Sequence, residues 1–123
     1  MRYMTDRKRV IGLGSAKSGV HHFWAMKVSS VALVGLIPLF VFTFGPMLGR
    51  PYEEVIAYFA QPFPAIVAAL TFVIGFRHFR DGVQVLIEDY VHGWAQKALI
   101  IAMICVSYGA AAVGLFAIAR IAL

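Results

Sequence analysis

Three long apolar stretches, separated by short polar breaks marked with proline or glycine, organise this chain. Residues 28–48, 65–86 and 98–123 are dominated by Val, Ile, Leu, Phe and Ala. Each reaches the roughly 20 residues that a helix needs to cross the hydrocarbon of a bilayer. The breaks carry their own signals. Pro38, well inside the first stretch, removes a backbone hydrogen bond and predicts a kink, and Gly45 and Pro46 end the helix. Pro51 then precedes Glu53 and Glu54, with Val55, Ile56, Tyr58 and Phe59 behind them, which predicts a short interfacial helix over 51–61. Pro62 and Pro64 close that helix and open the second span near Ala65. His92 and Gly93 mark a turn, Trp94 and Lys97 anchor the third span, and Gly109 and Gly114 are placed for close helix contact.

Ahead of the first span the pattern differs. Residues 1–18 contain Gly12, Gly14, Ser15 and Ser18, a turn-rich composition that predicts a cytoplasmic arm, lying on the surface or docked on a partner, rather than a helix of its own. Helical patterning begins at Gly19, and Trp24 and Lys27 stand where an aromatic ring and a snorkelling cation meet the headgroups. The expectation is a single membrane-anchor domain over 1–123, all-α, with three transmembrane helices plus a short interfacial helix.

Composition agrees with that pattern. The chain is 61% hydrophobic and has 11 Lys and Arg against 6 Asp and Glu, too few charges to clothe a soluble domain of 123 residues. Its mean hydropathy is +0.80. The cations crowd before the first span and between the second and third, leaving Arg50 and Arg120 on the other side, which predicts a cytoplasmic N-terminus and an external C-terminus. Arg2, Arg7, Lys8, Arg9 and Lys17 imitate the start of a signal peptide, but the apolar run that follows is of full membrane length without a small-residue cleavage site, so it reads as a retained helix. The leader is unlike a mitochondrial transit peptide, and a bacterial inner membrane is the expected location. Basic residues this close to a span read as topology signals and not as a nucleic-acid arm. Cys105, the one cysteine, excludes an internal disulfide and a multi-cysteine metal site, and is expected to pack as a small residue.

The chemistry concentrates in the second span, which carries Arg77, His78, Arg80, Asp81, Glu88 and Asp89 towards one end. Ionisable groups at membrane depth are costly unless paired, solvated or bound, so His78 needs a partner. Thr71, Gly75, His78, Gly82, Val85 and Asp89 share one helix face, with glycine on either side of the histidine. A porphyrin edge-on to a helix and bonded through an imidazole needs the neighbouring turns cleared of side chains, and this spacing suits such a haem ligand. The stripe alone leaves a second reading equally open, in which His78 hydrogen-bonds across a helix interface and the glycines only permit packing. His21 and His22 precede the first span and His92 lies too far along the same run, so the other axial ligand of a six-coordinate haem would come from a partner subunit.

The run His78-Phe79-Arg80-Asp81-Gly82-Val83-Gln84-Val85-Leu86-Ile87-Glu88-Asp89-Tyr90 resembles the small hydrophobic membrane-anchor subunits of the succinate dehydrogenases, respiratory complex II. That family shows a histidine, a glycine four residues later and an Asp-Tyr pair closing the helix, matched here by His78, Gly82, Asp89 and Tyr90. A second stretch, Ser18-Gly19-Val20-His21-His22-Phe23-Trp24-Ala25-Met26-Lys27-Val28-Ser29-Ser30, is similar to the family's entry into its first span, Gly-x-x-His followed by a basic residue. The likeness covers both regions and the three-span layout.

The resemblance implies that His78 is an axial ligand of a b-type haem shared with a second anchor subunit. It implies that Tyr90 hydrogen-bonds a ubiquinone carbonyl, with Asp89 beside that site. Lys27, and with it His21, would face a haem propionate. The family commonly has Arg where this chain has Lys27, and a mobile point charge replaces a planar fork; a snorkelling lysine explains the position as well. Tyr90 also fits an interfacial aromatic belt, and Asp89 a cytoplasmic charge network. Arg77, Arg80 and Asp81 are expected in local pairing or contact with a partner subunit rather than in catalysis.

By the same resemblance, this chain is one of two anchors holding a flavoprotein subunit and an iron-sulfur subunit at the cytoplasmic face of the membrane. Flavin and iron-sulfur clusters belong to those partners, ubiquinone is the electron acceptor, and the chain alone is catalytically inert. Competing readings are a quinol:fumarate reductase anchor, a small transporter or assembly protein with a proton relay through His78, Arg80 and Asp81, and an anchor that binds no cofactor.

Overall fold

The structure, a computed structural model, describes residues 5–11 and 18–123. The chain is all-helical: α1 (Asp6–Ile11), α2 (Ser18–Phe44), a 3₁₀ turn (Gly45–Met47), α3 (Tyr52–Phe59), α4 (Pro62–Tyr90) and α5 (Trp94–Ala122). α2 with the 3₁₀ turn, α4 and α5 are each long and apolar enough to cross a membrane.

The helix boundaries follow from local chemistry. Gln61 is extended, with ψ 145°, as the residue before a proline prefers, and Pro62 opens α4 in the first turn, where a missing N–H costs nothing. At the other end Val91 is extended, and Gly93 stands just before α5 with φ 74° and ψ −147°, a backbone region that is essentially glycine's alone. Pro38 lies in the interior of α2, and the helix continues past it to Phe44. The helices run beyond the apolar stretches because backbone hydrogen bonding continues through polar residues such as Glu88 and Asp89 after hydropathy has fallen away.

One expectation for the leader fails. Asp6–Ile11 forms a short helix, with an acid in its first turn where the helix dipole favours it. Arg2, Gly12, Gly14, Ser15 and Lys17 lie outside the described residues.

α4 is the middle helix, packed against α2 on one side and α5 on the other. Both pairings are antiparallel. On the α2 side, His22 lies near Asp81 and Ser29 near His78, while Phe40 joins Thr71 and Phe72 around one hollow. On the α5 side, Arg80 meets Tyr108, and Phe72 fills the space beside Gly114. The N-terminus of α2, the C-terminus of α4 and the N-terminus of α5 therefore share one end of the bundle. Phe59 of α3 is buried at the opposite end, where its ring centroid is 6.2 Å from that of Phe44.

Among the described residues the buried hydrophobic side chains are Phe59, Ala65, Val67 and Ala68, while Val31, Val34 and Val113 are 70% exposed or more. Apolar residues surround α2 and α5 on all sides, as expected of helices facing lipid or other membrane subunits. The threonines inside the spans hydrogen-bond their own helix: Thr43 Oγ1 donates to the carbonyls of Leu39 and Phe40, and Thr71 Oγ1 to that of Val67. Two packing expectations are corrected. Cys105 is exposed on α5 rather than packed between helices, and a Cβ at Gly109 would meet nothing within 4 Å. Of the two α5 glycines, Gly114 makes the close approach.

Candidate functional site

His78 is half-buried on the face of α4 that meets α2. Its Nδ1 lies 3.0 Å from the Oγ of Ser29, a buried residue of α2 whose hydroxyl also donates to the Met26 carbonyl at 2.9 Å. Among the described residues its Nε2 makes no hydrogen bond and is not enclosed. One ring nitrogen is thus held by the protein and the other is free. Gly82, one turn further along α4, is exposed, and a Cβ there or at Gly75 would meet nothing within 4 Å. Gly75 lines an apolar hollow of about 340 Å³ with Phe40, Phe72, Phe76 and Phe79.

A second polar centre lies one turn nearer the shared end of the bundle. Asp81 is fully buried. Its Oδ1 accepts from Arg80 through Nε at 2.8 Å and through Nη2, while its Oδ2 has no partner. The Arg80 guanidinium also donates to the Tyr108 hydroxyl of α5 and lies 5.6 Å from the centre of that ring. On the α2 side, His22 Nε2 lies 4.0 Å from Asp81 Oδ1, beyond hydrogen-bonding reach, and is likewise buried without a partner. A cavity of about 600 Å³ opens here, lined by His21, His22, Arg77 and Asp81 among others. The expected local pairing of Arg80 with Asp81 is present, and through Tyr108 it links α4 to α5.

The remaining positions are more scattered. His21 is exposed and borders this cavity and a second one, of about 320 Å³, lined also by Ser29 and Arg77. Lys27 is exposed and its Nζ stands 5.5 Å above the Phe23 ring, with no ion pair among the described residues. Asp89 and Tyr90 are exposed at the last turn of α4, Tyr90 by 78%. At 1.5 Å per residue they lie roughly 18 Å along the helix from His78, so they belong to a separate location near the bundle end. Next to them Gln84 donates to Glu88 at 2.8 Å, and Gln96 of α5 reaches the Glu88 carbonyl at 3.5 Å.

Sequence reasoning missed Ser29, His22 and Tyr108. A serine in an apolar span was the available signal for Ser29, since such a hydroxyl must find a partner. His22 and Tyr108 become visible only once the helices are in register.

Three apolar helices, bearing an imidazole at depth and a charged end, define a multi-pass membrane anchor. Residues 1–116 match the family of the succinate dehydrogenase/fumarate reductase transmembrane subunit, and the chain belongs to that family. It is similar to the succinate dehydrogenase hydrophobic membrane anchor subunit of Paracoccus denitrificans, with 43% identity over 123 residues covering 100% of this chain and 95% of that relative. It also resembles the succinate dehydrogenase membrane anchor subunit of Reclinomonas americana, with 30% identity over 91 residues covering 72% of this chain and 76% of the relative. No solved structure matches it. The chain is accordingly a membrane-anchor subunit of a succinate dehydrogenase complex, which implies further subunits.

Proposed function

We propose that this anchor shares a b-type haem with a second membrane subunit through His78, and that Asp89 and Tyr90 contribute to a ubiquinone-reduction site at the end of α4. The observation that supports the haem reading is the rest of the His78 ring: beyond the cross-helix bond of Nδ1 to Ser29 at 3.0 Å, which packing alone would also give, Nε2 makes no hydrogen bond among the described residues and has open space beside Gly82. An axial imidazole has this donor set, one nitrogen for iron and the other for an orienting hydrogen bond. When bound, the haem supplies a one-electron store beside the path to the quinone. The chain's own residues position and neutralise. Tyr90 offers its hydroxyl to one quinone oxygen, and Asp89 places a carboxylate where protons arrive from water. Lys27 and His21 stand on the same end of α2 as the cavity beside Arg77, where Lys27 supplies positive charge and His21 a ring N–H for haem propionates.

In this reading the partners are a flavoprotein subunit, an iron-sulfur subunit and a second anchor, which supplies the other axial ligand. The complex sits in a bacterial inner membrane with the N-terminus of α2 towards the cytoplasm, a placement supported by the basic leader and by Lys97 at the same end of the bundle. The test is His78→Ala in the co-expressed complex. It is expected to abolish or alter the b-type absorption of the purified material; a spectrum identical to that of the unaltered complex overturns the assignment.

A further inference from the structure

We propose that Ser29 is the positioning residue for His78: its hydroxyl accepts a hydrogen bond from Nδ1–H, sets the ring plane and fixes the tautomer that leaves Nε2 for the metal. This rests on the haem reading above and adds a residue to it. Ser29 is only 5% exposed, its Oγ is 3.0 Å from His78 Nδ1 and 2.9 Å from the Met26 carbonyl, and it comes from a different helix.

The argument is one of proton count. A serine hydroxyl has a single proton and two lone pairs. With that proton directed to the Met26 carbonyl, Oγ presents a lone pair to Nδ1, so the imidazole proton sits on Nδ1 and Nε2 has its lone pair free. With the proton directed to Nδ1 instead, Nε2 carries the hydrogen and cannot bind iron. The serine proton thus has two settings, on the Met26 carbonyl or on Nδ1, and a metal on Nε2 would select the first; the Met26 carbonyl accepts from Ser30 Oγ at 2.9 Å as well. Among the described residues no other group hydrogen-bonds His78. Metal-bound histidines nearly always donate their second N–H, which orients the ring and raises its basicity, and loss of such a partner typically costs about 10–100-fold in affinity.

The experiment uses the assembled complex and three substitutions. Ser29→Ala and Ser29→Val remove the hydroxyl, Val with the shape of threonine; Ser29→Thr keeps it. The readouts are the haem midpoint potential, the low-spin electron paramagnetic resonance g-values and the rate of haem loss to an apo-haem acceptor. Ala and Val are expected to raise the potential, because a less basic imidazole stabilises ferric iron less, to shift the g-values, and to speed haem loss about 10-fold or more. Thr is expected to stay close to the unaltered complex. Ala and Val variants indistinguishable from serine in all three readouts overturn the inference, as does a Thr variant shifted as far as Val. If Ser29→Ala does not assemble, the Thr and Val pair decides. A His78→Ala complex that keeps its b-type spectrum overturns the haem reading itself, and that outcome is distinct from all of these.

Discussion

Phe72 of α4 occupies the space in which a Cβ on Gly114 of α5 would stand. The two helices approach at this point because one side chain is missing, as small residues allow between membrane helices. Gly114→Ala is therefore expected to push the ring or the helix aside and to destabilise the bundle by about 1–3 kcal/mol. The thermal midpoint of the purified complex in mild detergent measures the effect. Adding Phe72→Leu should recover part of the loss, since neighbouring substitutions of this kind are not additive.

The fully buried carboxylate of Asp81 is held by Arg80, whose guanidinium reaches on to Tyr108. Removal of one member leaves the other charge without its counterpart. Asp81→Ala and Arg80→Met should each cost on the order of 3–5 kcal/mol, and the double variant Asp81→Ala/Arg80→Met should cost less than the two single effects added. A double-mutant cycle on unfolding by sodium dodecyl sulfate reads the coupling, and strict additivity would mean that the pair contributes nothing beyond its parts.

Much of this architecture can be read from the chain because prolines and glycines act locally. Pro62 and Gly93 mark the ends of their helices through backbone geometry that requires no knowledge of neighbours. What could not be read is rotation and register. α2 and α5 are apolar on every side, so nothing in their patterns says that Ser29 and not Ser30 faces His78, that His22 and not His21 stands beside Asp81, or that Gly114 and not Gly109 makes the contact. That His78 needs a partner was legible from an ionisable ring inside an apolar span, and that Ser29 holds its Nδ1 was not. In the leader, the glycine and serine content outweighed the short run of helix-forming residues at 6–11, which does form a helix.

Gly82 separates a packing role from a cofactor role. In this chain a Cβ at Gly82 meets nothing within 4 Å, and alanine is favoured over glycine in a helix interior by roughly 1 kcal/mol. On the chain's own account, Gly82→Ala is harmless or mildly stabilising. If the macrocycle lies against this turn, the same substitution, and Gly82→Leu more strongly, should lower the haem content of the complex while its melting temperature, measured on the subunits with haem removed, is unchanged or higher. Full haem occupancy in Gly82→Leu would place the ring elsewhere.

Tyr90 tests the quinone site independently of the haem. Its side chain is exposed at the end of α4, roughly 18 Å along the helix from His78, so its loss should not perturb the b-type spectrum. Tyr90→Phe keeps the ring and removes only the hydroxyl. If the hydroxyl holds the quinone, a hydrogen bond is then lost, and a loss of about 1–2 kcal/mol in stabilisation corresponds to a roughly 5- to 30-fold fall in the rate of ubiquinone reduction. Succinate oxidation by an artificial dye that bypasses the membrane site should remain as it was. Asp89→Asn, which keeps shape but not charge, should slow quinone reduction and leave the dye reaction unchanged. An interfacial anchor role for Tyr90 makes the opposite forecast: phenylalanine serves nearly as well, both electron acceptors are reduced at unchanged rates, and the quinone assignment fails.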